Sequence, residues 1–109
     1  MSEPLPIPAP VEKLSPLSRG VLGLLVHFPE KPVREIVGSV MAARSGVRWY
    51  GMKGLGVVPG MVCGPFDEFI AERFDPCGFS REMQRAAAVK LREFVEEQED
   101  EKVVLEVDL

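Results

Sequence analysis

Imidazole and thiol groups are almost missing from this 109-residue chain, which has one histidine, His27, and two cysteines, Cys63 and Cys77. A single histidine excludes a zinc site built from cysteine and histidine at the usual spacing within one chain. Two cysteines do not make a disulfide framework, and they read as small, partly buried thiols kept reduced. Long apolar runs are absent too. The longest, Gly20 to Phe28, is nine residues, far short of the ~20 needed to cross a bilayer. The opening MSEPLPIPAP has no basic stretch ahead of an apolar run, so it does not read as a signal peptide. The expected setting is cytoplasmic, without a membrane partner.

Catalytic groupings are equally scarce. A serine nucleophile needs a base, and the only imidazole lies in an apolar stretch with no sequence signal bringing serine and aspartate to it. From Gly46 to Lys53 the chain reads GVRWYGMK, where Met52 displaces the phosphate-loop lysine and no Ser or Thr follows. Gly54, Gly56 and Gly60 miss the dinucleotide spacing. Most carboxylates fall on the last helical segment, where a solvated face accounts for them. No catalytic residue, metal ligand or cofactor is assigned, and the expectation is a protein that is not an enzyme.

What the chain does have is charge sorted along its length. Residues 1–63 carry seven Lys/Arg against four Glu, a net of +3; residues 64–109 carry six against thirteen Asp/Glu, a net of −7. Asymmetry of this kind points to a binding surface.

Residues 1–13 form a proline-rich arm, with prolines at 4, 6, 8 and 10, expected to be extended and lacking P-x-x-P spacing. A single globular domain is expected over 14–109. Ser15 and Pro16 signal a helix start, and Leu17, Val21, Leu24, Leu25 and Phe28 give it one apolar face. Leu22 and Val26 lie off that face, so this helix is expected at the centre of the core, with Gly20 and Gly23 allowing close approach by another element. A second helix is predicted from about Pro32 to Arg44, closed by a left-handed Gly46. Phe66, Phe69, Ile70 and Phe74 mark a short third one, followed by a turn at Asp75–Gly78. Ser80 caps a long final helix whose buried stripe is Met83, Ala87, Leu91, Phe94 and Val95.

Residues 47–62 admit two readings. In the preferred one, Val47–Tyr50 and Leu55–Val58 are strands joined by a turn at Gly51–Gly54, whose glycines supply positive φ. In the other, Arg48–Leu55 is a short helix. At the C-terminus, Val103, Leu105, Val107 and Leu109 alternate with Val104, Glu106 and Asp108, the period of a half-buried strand. The expected fold is therefore α+β, with about four helices and a small antiparallel sheet combining the 47–58 hairpin with the strand 103–109.

Two binding surfaces follow. The apolar strand residues Val103, Leu105, Val107 and Leu109, beside Glu97, Asp100 and Glu101, suit docking onto a protein partner or a second copy by strand addition. A small regulatory interaction module acting in this way is the first expectation. Lys31, Arg34, Arg44, Arg48 and Lys53, opposed only by Glu35 and interleaved with Trp49 and Tyr50, suit nucleic acid instead, through phosphate contact and base stacking. Within that stretch Ala42, Gly46, Val47, Met52 and Leu55 occupy the positions of a small residue, a turn glycine and buried apolar side chains. That spacing resembles a helix-turn-helix over about twenty residues, and implies a recognition helix bearing Arg48, Trp49 and Lys53. In the hairpin reading the same residues form a basic wing.

Overall fold

The structure is a computed structural model and describes residues 14–97; the arm 1–13 and the terminal 98–109 lie outside the described residues. Among the described residues five α-helices run in the order α1 (Pro16–His27), α2 (Val33–Arg44), α3 (Tyr50–Lys53), α4 (Phe66–Arg73) and α5 (Arg81–Glu97). Short 3-10 turns at Pro59–Met61 and Pro76–Gly78 link the later elements.

Helix α1 begins as its sequence dictates. Ser15 is extended, its Oγ accepts the Ser18 N–H at 3.2 Å, and Pro16 takes the first turn, where no amide is needed. Apart from Arg19, every residue from Leu17 to Val26 is buried, so α1 is the central rod against which α4, α5 and α2 pack. Gly20 and Gly23, three residues apart, form a flat strip that α4 approaches. A Cβ at Gly20 would strike the Ile70 side chain, and one at Gly23 would fall on the Phe74 carbonyl.

Helix α2 turns Ile36, Val37, Val40 and Ala43 to the core. Its end is a Schellman motif: Gly46 at φ 78° donates to the Ala43 carbonyl at 3.0 Å, and Val47 donates to Ala42 at 3.0 Å. On its outer side Gly38 has open space, with no atom within 4 Å of where a Cβ would sit. Gly38→Ala therefore removes a helix-interior glycine at no steric cost and is expected to raise stability by up to about 1 kcal/mol. Urea denaturation reads this directly, and a midpoint at or below wild type would contradict it.

Helix α5 starts on Ser80, whose Oγ accepts the Met83 N–H at 3.2 Å. Its buried positions are Gln84, Ala87, Ala88 and Leu91, with Phe94 and Val95 partly buried against the core. Met83, expected inside, is 43% exposed, and its neighbour Gln84 takes the inward position. The expected burial of the cysteines also fails, since Cys63 and Cys77 are both exposed.

The α+β fold is overturned: no strand occurs among the described residues, and the hairpin 47–58 is absent. The segment satisfies its backbone locally, so it needs no partner strand. Arg48 donates to Ala42, Met52 and Lys53 donate to Trp49, and Leu55 and Val57 both donate to Met52. Met52 and Leu55, three residues apart, are buried together on the inner side of this turn. Gly51 and Gly54 supply no positive φ, which falls instead on Gly46, Gly56 and Gly64. Gly51 is required for proximity: a Cβ there would collide with Ser39 of α2. The β-preference of Val47, Trp49 and Tyr50 describes fit to a pleated surface that the fold does not provide. The second half of the expected sheet, 103–109, lies outside the described residues.

Candidate functional site

The local geometry decides which of the basic and aromatic residues meet. On α2, Arg34 and Gly38 are one turn apart, and Glu35, Ser39 and Ala42 follow the same helical row, so all five share one side. The Schellman turn folds the chain back, and the contact of Gly51 with Ser39 presses α3 against that side. The result is a groove of about 280 Å³, with Arg34 and Glu35 at one end, Arg48 and Tyr50 at the other, and Gly38, Ser39, Ala42 and Gly51 between them.

The electrostatics of this groove follow from the pairing. Lys31 Nζ, just ahead of α2, lies 3.6 Å from Glu35 Oε2 in its first turn, which offsets the single anion in the lining. Arg34 and Arg48 make no ion pair among the described residues. Arg34 stands on a ridge: its other side borders a smaller cleft with Lys90, Glu93 and Glu97. Ser39 Oγ makes no hydrogen bond among the described residues. Tyr50 is 69% exposed and Val47, three residues before it, 70%.

The remaining basic and aromatic residues go elsewhere. Arg44 borders a larger cavity of about 570 Å³ between the start of α1, the end of α2 and the start of α4. There its Nε donates to Asp67 Oδ1 at 2.7 Å. That hydrogen bond, with the charge of Asp67, raises the Arg44 pKa above its ordinary value and keeps the guanidinium charged. The pair neutralises the cation, and Glu68 adds a further anion to the lining, so the larger cavity offers no cationic face. Among the three ion pairs of the described residues, Arg44–Asp67 alone joins the basic half of the chain to the acidic half. Trp49 is half-buried and meets Phe66 edge-on at 5.6 Å, which makes it a wall of the fold. Lys53 is exposed at the end of α3, off the groove lining.

The helix-turn-helix resemblance is met at the turn glycine and at two buried positions, but not in its second helix. Gly46 is left-handed and Met52 and Leu55 are buried as that spacing implies, but Val47 is exposed and α3 is a single turn of four residues. One turn spans about 6 Å and offers no recognition helix of the kind a major groove admits. Of the residues expected to dock on a protein, Glu97 is exposed at the end of α5, while Asp100, Glu101, Val103, Leu105, Val107 and Leu109 lie outside the described residues.

Sequence reasoning singled out Arg34, Arg48 and Tyr50 but missed the small residues between them. The signal was present: Gly38 and Ser39 interrupt the polar side of α2 where a long side chain would have filled the groove.

His27, at the C-terminal end of α1, packs edge-on to Phe74 at 5.4 Å and Phe79 at 4.9 Å. Among the described residues no cluster of His, Cys, Asp and Glu could hold a metal ion, and no helix is long and apolar enough to cross a membrane. No family model, no curated protein and no solved structure matches the chain.

Proposed function

We propose that this chain is a non-enzymatic binding module that takes the phosphate backbone of nucleic acid in the groove between α2 and α3. One observation carries the reading: Arg34 and Arg48, neither ion-paired among the described residues, line the same groove as the exposed Tyr50. Guanidinium groups left unneutralised at a concave surface suit phosphate oxygens, which they contact in a fixed fork. Docking on a protein or a second copy through 103–109 rests on residues outside the described ones, so the groove supplies the conclusion instead. A cytoplasmic setting, in which the two exposed thiols stay reduced, goes with this reading.

The chain's net charge of −4 opposes a polyanion, so affinity must come from the local cations and must fall steeply with salt. Fluorescence anisotropy with a labelled oligonucleotide across a salt series is the test. Arg34→Ala and Arg48→Ala should each weaken binding at low salt, and each should flatten the log–log salt slope by about 0.7–0.9. Failure of the wild type to bind at low salt, or unchanged binding by the double variant, would defeat the proposal.

A further inference from the structure

Resting on the nucleic-acid reading, we infer that the groove selects single strands and stacks one base on Tyr50. The other aromatic side chains among the described residues are engaged: Trp49 against Phe66, Phe74 and Phe79 against His27, and Phe28, Phe69 and Phe94 against the core. Tyr50 is 69% exposed and makes no ring contact among the described residues, and it lines a groove that also holds Arg34 and Arg48. Stacking a base needs an open aromatic face beside cations that hold the flanking phosphates, and this arrangement supplies both.

The shape argues against duplex. A cleft of about 280 Å³ admits a flat group, not a helix of paired strands. Of the two helices that line the groove, α3 is one turn long and cannot lie along a major groove. Bases in a duplex are stacked on one another and present only their edges, whereas an unpaired base has a free face. Gly38 and Gly51 leave no long side chain between the ends of the groove, and Ser39 lines it with a hydroxyl that forms no hydrogen bond among the described residues.

The experiment compares a labelled oligothymidine with a hairpin duplex of equal nucleotide number, using wild type, Tyr50→Ala, Tyr50→Phe and Arg48→Ala. The single strand should bind about tenfold more tightly than the duplex. Tyr50→Ala should lose about tenfold on the single strand and little on the duplex, while Tyr50→Phe should keep the preference because its ring stacks equally well. Tyr50 is exposed, so circular dichroism should show every variant folded. Equal affinity for duplex, or indifference to Tyr50→Ala, overturns the inference; if Arg48→Ala still weakens binding, the nucleic-acid reading stands without it. No binding of either oligonucleotide at low salt overturns both.

Discussion

Gly23→Ala is expected to cost this fold about 3 kcal/mol or more, although the same change in an isolated helix would gain up to about 1 kcal/mol. The new methyl would land on the carbonyl of Phe74, which is backbone and cannot swing aside. Phe74 closes α4, its N–H bonding to the Ile70 carbonyl at 2.9 Å, and its buried ring meets His27. Making room for the methyl therefore means moving α4 away from α1, where Ile70 and Gly20 are also in close approach. A domain of this size has about 5–15 kcal/mol of stability to lose. Urea denaturation followed by circular dichroism reads the result, with Gly38→Ala as the opposite-signed control. A Gly23→Ala protein as stable as wild type would show that the helix crossing is looser than described.

Gln84→Leu comes second, at about 1–3 kcal/mol. Gln84 is buried, and its Nε2 donates to the Pro76 carbonyl at 2.9 Å and the Phe79 carbonyl at 2.8 Å. One amide group thereby ties the 3-10 turn at Pro76–Gly78 to the first turns of α5. Leucine keeps the volume but leaves the Phe79 carbonyl without its donor, at about 1–3 kcal/mol, while the Pro76 carbonyl loses one of two donors and keeps the Phe79 N–H at 3.1 Å. Gln84→Glu separates hydrogen bonding from size. At neutral pH its carboxylate would face two carbonyl oxygens in a buried site, which raises its folded-state pKa above the unfolded one. Its stability should then recover below the unfolded pKa, as the protonated acid regains one donor, and be lost as pH rises through the folded value. Thermal melts of both variants at acid and neutral pH check this; a Gln84→Leu protein with an unchanged melting temperature would remove Gln84 from the role.

Much of the helical frame was legible in the chain. Ser15 with Pro16, Ser80 and Gly46 are capping signals, and each acts on amides or carbonyls within a few residues of itself. The unusual pair Gly20 and Gly23 announced a close approach, though not that α4 would make it. The hairpin at 47–58 misled because the preference of Val47, Trp49 and Tyr50 for strand reports how such side chains fit a half-buried sheet. With no strand beside them among the described residues, burial of Met52 and Leu55 and the packing of Gly51 on Ser39 settle the matter for a helical turn.

The groove divides the same way. That cationic and aromatic side chains crowd residues 31–53 is plain from their order, as is the excess of acid after residue 63. Which cations remain available is a matter of distance across the fold. Asp67 neutralises Arg44 from 23 residues away, Phe66 takes up Trp49, and Arg34 shares a groove with Arg48 and Tyr50 only because the Gly46 turn returns the chain onto α2. Capping and turn chemistry span a few residues and are written in local order. Charge pairing and ring packing fall off within a few ångströms of space, so separation along the chain does not reveal them.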